Sequence, residues 1–362
     1  MSAEDHIIED DIKKYYKLGR TLGTGGYATV KKGKLLSDGS HWAVKIIQKS
    51  SLTSKDLENL KTEIHILKSV SHPNIVNTKD VYQIPEDSNA YIVMELMSGG
   101  ELFDRIVEKE CYNEHETRVA FRDVTNALIY LHDQGIVHRD LKPENLLYNS
   151  KNDNADLKIA DFGLASIIDD GQLLHSACGT PGYVAPEILK KSKKKKKGYG
   201  LPVDMWSLGV ILYILLSGCP PFYQEDQNEL FAAIIEGDYD FPSPDWDDVS
   251  KEAVDLVKKL LCLNPKKRLT ARQVLEHPFM TAEQVSMAPN KIALEKLKSY
   301  NAKRRFKKAI VAVQMINLMK SHAGGLMAML KEKAKENKNK NDGETPDDTE
   351  ENETPPTEEA TS

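Results

Sequence analysis

Short apolar runs broken by glycine and polar turns come first along this chain, and longer runs with helical spacing follow. Tyr16–Leu22, Ala28–Leu35 and His41–Ile47 are rich in Val, Ile and aromatics. Glycine pairs and Ser37-Asp38-Gly39 punctuate them, which predicts strands joined by turns. Ser54–Val70 carries Leu57, Leu60, Ile64 and Leu67 at three- and four-residue intervals, which predicts one helix entered through polar residues. Val81–Ile84 and Tyr91–Leu96 complete a small sheet. Beyond Gly100 the pattern turns helical over Thr117–Gln134, Leu201–Ser217, Gln227–Glu236 and Ser250–Cys262. The predicted plan is α+β: a small β-rich lobe, a larger helical lobe and a cleft between them.

Charge divides the chain further. From Lys303 to Lys320 all six charges are positive: Lys303, Arg304, Arg305, Lys307, Lys308 and Lys320. After Gly343 every charge is negative and Thr, Pro and Glu dominate, a composition that buries no core and predicts disorder. Lys193–Lys197 is a further low-complexity run. It reads first as a solvated loop, and second as a signal for nuclear import or anionic docking. At 362 residues there is room for both lobes and for appendages.

Neither a signal peptide nor N-myristoylation is expected, because Met1-Ser2-Ala3-Glu4-Asp5 is acidic and Ser2 is not glycine. The apolar run Leu208–Leu216 is about half the length that spans a bilayer. Cys111, Cys178, Cys219 and Cys262 lack metal-ligand spacing, which points to reduced thiols and a cytoplasmic or nuclear setting.

Gly23-Thr24-Gly25-Gly26-Tyr27-Ala28-Thr29-Val30 joins two predicted strands, so backbone N–H groups there can approach phosphate oxygens without a Cβ in the way. A plain hairpin turn explains this segment alone equally well. Four more segments follow: Ala43-Val44-Lys45 with Glu63 on the next helix, then His138-Arg139-Asp140-Leu141-Lys142-Pro143-Glu144-Asn145, Asp161-Phe162-Gly163 and Ala185-Pro186-Glu187. A surface salt bridge accounts for any one of these charged residues, but not for the ordered set. Together they resemble the eukaryotic protein kinases over roughly Tyr16 to Phe279. Ala28 stands where the family has a third loop glycine.

The resemblance implies a bilobal protein-kinase fold that uses ATP and Mg²⁺. It makes Asp140 the base, Lys142 a screen for the transferred phosphoryl, and Lys45 a phosphate contact held by Glu63. Asn145 and Asp161 become the metal ligands. ATP is assigned to Leu22, Gly23, Thr24, Gly25, Gly26, Tyr27, Ala28, Thr29, Val30, Ala43, Lys45, Asn145 and Asp161. Met94 is placed behind the adenine, Glu95 to Met97 form the hinge strand, and Glu101 faces the ribose and a basic substrate residue. The family also pairs Glu187 with Arg268 and uses Asp204 and Trp206 to anchor the central helix. Lys142 and Gly179-Thr180-Pro181-Gly182-Tyr183 resemble serine/threonine rather than tyrosine kinases. A pseudokinase scaffold is disfavoured, because Lys45, Asp140, Asn145 and Asp161 are all present.

Ser98–Ile106 and Ser176–Glu187 most resemble the calcium/calmodulin-dependent protein kinases, type I in particular. That implies a catalytic domain at 16–280, an autoinhibitory and calmodulin-binding segment at 281–322 and a tail at 323–362. Protein substrates with an upstream arginine are expected, and an upstream kinase acting on Ser176; no nucleic-acid partner is. Phe306, Ile310, Val313 and Met319 stand at relative positions 1, 5, 8 and 14 of an acid-free segment and line one helix face. Two rival readings remain for it, a cap on the large lobe or a basic helix on an anionic membrane; the alternative function is then a constitutively active or membrane-surface-regulated kinase not controlled by calmodulin. Calcium is expected to act only through calmodulin, since no Asp-x-Asp-x-Asp-Gly loop follows.

Overall fold

A computed structural model of the chain describes residues 7–25, 28–84, 87–109, 112–168, 174, 178–190, 198–283 and 286–310. The chain divides into two compact units, Met1–Phe306 and Lys307–Ser362. In the second, the described residues 307–310 are helical. Gly26, Tyr27, Ser176, Lys193–Lys197, Val313, Met319 and the acidic tail lie outside the described residues.

The first unit opens with the small lobe: β1 (Ile7–Ile8), β2 (Tyr16–Thr24), β3 (Ala28–Leu35), β4 (His41–Gln48), α1 (Ser54–Ser69), β5 (Thr78–Tyr82) and β6 (Asn89–Glu95). The strands form one sheet in the order β1-β5-β6-β4-β3-β2. Val30 and Lys45 face each other across β3 and β4, which puts the lysine beneath the glycine-rich turn. A capping box starts α1: Thr53 accepts from the Asp56 N–H, and the Asp56 side chain accepts from the Thr53 N–H. That start fixes which α1 face meets the sheet and brings Glu63 inward, 7% exposed. The hinge is shorter than the sequence suggests, for β6 ends at Glu95 and leaves Leu96 and Met97 outside the strand. Edge strand β1 is unforeseen in the sequence; it pairs in parallel with β5 through Ile7–Val81 and Ile8–Tyr82.

The large lobe contains α2 (Leu102–Val107), α3 (Glu114–Asp133), β7 (Ile136–Val137), β8 (Leu146–Tyr148), β9 (Leu157–Ile159) and β10 (Ser166–Ile167). After these come α4 (Pro186–Leu189), α5 (Pro202–Ser217), α6 (Gln227–Glu236), α7 (Lys251–Leu260), α8 (Ala271–Leu275) and α9 (Pro278–Thr281). The apolar run that is too short for a bilayer lies in α5, which is buried from Val203 through Ser217. A helix apolar all round belongs inside a core, and here α3 and α7 cover it. No helix among the described residues is long and apolar enough to cross a membrane.

Residues 291–306 are helical and pack on the large lobe. Ala293, Leu294 and Leu297 are buried against it. Each leucine so buried stabilises the contact by about 2 kcal/mol. Gly218, with φ +78°, ends α5 where Ala293 comes closest, and its position leaves no room for a Cβ.

Candidate active site

Three elements converge on Lys45. Its Nζ donates to Glu63 Oε1 at 2.6 Å and to Asp161 Oδ1 at 3.2 Å, so β4, α1 and the turn after β9 meet at one ammonium. Burial works against the lysine's charge, but the two carboxylates outweigh it and hold Lys45 above its ordinary pKa. Burial likewise raises Asp161, and Lys45 more than reverses this, leaving the carboxyl below its ordinary value. Asp161 takes a left-handed backbone, φ +62°, rare for a residue with a side chain. Its side chain stays half exposed.

Asp140 sits in a second cluster. Lys142 Nζ donates to Asp140 Oδ2 at 2.5 Å, and Thr180 Oγ1 donates to Oδ1 at 2.7 Å. Lys142 also reaches Thr180 Oγ1 at 3.1 Å. The Asn145 amide donates to the Asp140 carbonyl at 2.8 Å, so its own side-chain oxygen remains as a potential ligand. Among the described residues no three His, Cys, Asp or Glu side chains group as a complete metal cage. Two hard-oxygen residues fit a Mg²⁺ that completes its shell with phosphate and water.

Asp204 supports the loop from beneath. Its carboxylate accepts the N–H groups of His138 and Arg139, both at 2.9 Å, and contacts His132 Nε2 at 3.0 Å. These contacts hold Arg139 at φ +67°. Arg139 also donates to the Leu164 and Ala165 carbonyls, tying the loop to the turn after Asp161. Arg268 pairs with Glu187 through both carboxylate oxygens, at 2.7 and 3.0 Å. Trp206 is fully buried in α5, and Arg268 lies over its ring.

A third cluster was only partly legible. Glu101 precedes α2, Asp104 lies on it and Glu144 lies in the loop after Asp140, and all three face Arg304. Its guanidinium lies 2.7 Å from Glu101, 3.2 Å from Glu144 and 3.9 Å from Asp104. Asn301 donates to Asp104 at 2.7 Å and accepts from Arg304 Nε at 3.1 Å. Tyr300 meets Tyr183 hydroxyl to hydroxyl at 3.1 Å. The sequence singled out Glu101 alone as an acidic contact. Asp104, Glu144 and Thr180 stood inside quoted motifs without a role of their own, whereas Asn301 carried no signal.

Of the residues expected around ATP, Leu22, Gly23, Thr24, Gly25, Ala28, Thr29 and Val30 lie on β2, β3 and their turn, while Ala43 lies on β4. Met94 pairs with Ala43 across β4 and β6. Glu95 accepts from Lys158 Nζ at 2.8 and 2.9 Å, so its side chain braces the hinge.

The protein kinase domain family matches residues 16–280. A calcium/calmodulin-dependent protein kinase type 1 from Macrobrachium nipponense is 44% identical over 314 residues, spanning 86% of this chain and 88% of that protein. A type IV enzyme from Mus musculus is 44% identical over 310 residues, spanning 85% of this chain and 64% of that one. For a type II enzyme from Caenorhabditis elegans the figures are 44% over 306 residues, 84% and 42%. With the Lys45, Asp140 and Asp161 clusters assembled, the chain belongs to the protein kinases and, among them, to the calcium/calmodulin-dependent protein kinases, as a protein serine/threonine kinase.

Proposed function

We propose that this chain transfers the γ-phosphate of ATP to Ser or Thr of proteins carrying an upstream arginine, and that calcium-loaded calmodulin switches it on. Arg304 carries the reading. It occupies three carboxylates that would otherwise receive a substrate guanidinium, so the segment 281–322 acts as its own inhibitor. The Arg304–Glu101 contact is a charge-assisted hydrogen bond worth about 1.5–3 kcal/mol, and the Glu144 and Asp104 carboxylates add attraction at longer range.

In the reaction, Lys45 positions the α/β-phosphates while Glu63 fixes the lysine. Asp140 accepts the hydrogen bond, and then the proton, of the attacking hydroxyl; Thr180 and Lys142 fix its two oxygens. Asn145 and Asp161 would hold Mg²⁺, which neutralises phosphate charge when bound. The glycine-rich segment between β2 and β3 is the proposed phosphate contact, Leu22, Ala43 and Met94 the adenine enclosure, and Glu95 to Met97 the hinge.

Ser176, outside the described residues, is proposed as the activating phosphosite, with Arg139 as its guanidinium partner. Cytoplasmic residence, with Lys193–Lys197 available for nuclear import, completes the reading. Calmodulin would engage Phe306, Ile310, Val313 and Met319. The deciding experiment titrates peptide-kinase activity with calcium, with and without calmodulin, on substrates bearing Arg or Ala three residues before the acceptor serine. The reading requires activity that depends on both calcium and calmodulin and prefers the arginine peptide. Full activity in chelator would remove the switch, and equal use of both peptides would remove the arginine receptor.

A further inference from the structure

At the base of the large lobe a cavity of about 320 Å³ lies among the end of α3, the start of α5 and the segment entering α8. None of its lining residues belongs to the clusters around Lys45, Asp140 and Arg304. Ile129, Met205 and Leu269 form an apolar wall. Lys266, Arg268 and Arg272 add positive charge, against one carboxylate, Asp133. A void left by imperfect apolar packing is apolar throughout. This one joins apolar walls to a few polar groups at the lower end of small-molecule pocket volumes, about 300 Å³.

The cations differ in availability. Arg268 is committed to Glu187 and to the carbonyls of Cys262 and Pro202. Arg272 reaches Asp133. Lys266 is exposed and has no carboxylate partner among the described residues. An incoming anion therefore meets one uncommitted ammonium beside an apolar recess.

We infer that this cavity binds a compact apolar acid, a hydrocarbon body carrying one carboxylate, and that the catalytic loop responds to its binding. The coupling runs through two wall residues. His132 contacts Asp204, whose carboxylate holds the His138 and Arg139 N–H groups at 2.9 Å. Arg268 holds Glu187 at 2.7 Å, at the end of the segment that carries Thr180. A ligand that favours one placement of either wall residue shifts the loop to the extent that it discriminates between placements.

Octanoate is the probe, and the full-length chain labelled at the methionine methyls is the reporter, with Met205 assigned through Met205→Leu. Octanoate should move the Met205 signal saturably, whereas 1-octanol, of the same length without charge, should need about tenfold more. Lys266→Glu, at an exposed position, should raise the octanoate midpoint by about tenfold, and Ile129→Trp should fill the cavity and abolish the shift. Hydrogen exchange at the His138 and Arg139 amides should change in parallel. The site is overturned by an unmoved Met205 signal, by equal potency of acid and alcohol, or by indifference to Lys266→Glu. Saturable binding with unaltered exchange at both amides overturns the coupling.

Discussion

Arg304 Nη2 stands 2.7 Å from Glu101 Oε2 although 203 residues separate them in the chain. Glu144 and Asp104 complete the carboxylate set, and Phe103 presents its ring to the guanidinium at 5.4 Å. Arg304→Glu places a fourth acid there and should release the segment. Losing about 2 kcal/mol of docking raises the undocked population about 30-fold wherever that population is small. Peptide-kinase activity in chelator should rise at least tenfold. Glu101→Gln should also release the segment, yet raise KM for the arginine peptide. Basal activity and KM unchanged in both variants would dissociate this cluster from inhibition and recognition alike.

Lys45→Met tests the phosphate-positioning role. Removing one preorganised charge from a phosphoryl-transfer site costs about 10²–10³-fold in kcat. Glu63 then loses its partner while still largely buried, so a modest fall in Tm is expected, with the folded circular dichroism spectrum retained. Asp161 keeps its charge for another reason: its pKa lies below the ordinary 3.8. Metal ligation by Asp161 should therefore be independent of pH from neutrality down to about pH 5. An apparent Mg²⁺ affinity that fell steeply across that range would contradict the assignment.

Asp204 makes a stability prediction with a definite sign. Burial raises its pKa, but hydrogen bonds from His132 and the His138 amide, with nearby positive charge, bring it below the ordinary 3.8. A depressed folded pKa contributes stability that is complete above the unfolded value and fades as pH falls through the lower folded value. Asp204→Asn should cost about 3 kcal/mol at pH 7, since it leaves a backbone donor facing an amide NH₂. The gap between wild type and variant should narrow below about pH 4. Urea melts at several pH values measure it, and a gap that widens in acid would reverse the assignment.

Local pattern made the secondary structure legible where one physical cause dominated. Ala28–Leu35 and Gln227–Glu236 have the bounds that the sequence predicts, because turn residues and caps flank both. Strand β1 escaped, since two isoleucines among charges have no periodicity until β5 offers an edge. The residues around Lys45 and Asp140 were legible because phosphoryl transfer constrains residue type and order together. Of the Arg304 receptor only Glu101 was legible, because Asp104, Glu144 and Asn301 become its neighbours only when residues 291–306 pack on the large lobe. Nothing in one sequence distinguishes those carboxylates from solvated ones.

Phe306 supplies the last prediction. Residues 291–297 bury one helical face against the large lobe, whereas Phe306 is 68% exposed and Ile310 is 41% exposed. The exposure of Phe306 weighs against a simple cap on the lobe, in which its ring would be core. Both exposures suit anchors held ready for a partner, and the neighbouring cations would steer an acidic one. Aromatic anchors that fill deep pockets contribute about 2 kcal/mol or more, so Phe306→Ala should weaken calcium-calmodulin binding about 30-fold. The fold should hardly notice, because little of the ring is buried. Replacing Lys307 and Lys308 should act differently, lowering the association rate and its salt dependence while leaving dissociation nearly unchanged. Stopped-flow association and dissociation rates at two ionic strengths separate the two effects. If Phe306→Ala binds as wild type does, the 1, 5, 8, 14 spacing of Phe306, Ile310, Val313 and Met319 is coincidence. A membrane surface then becomes the partner to test, with anionic vesicles as the probe.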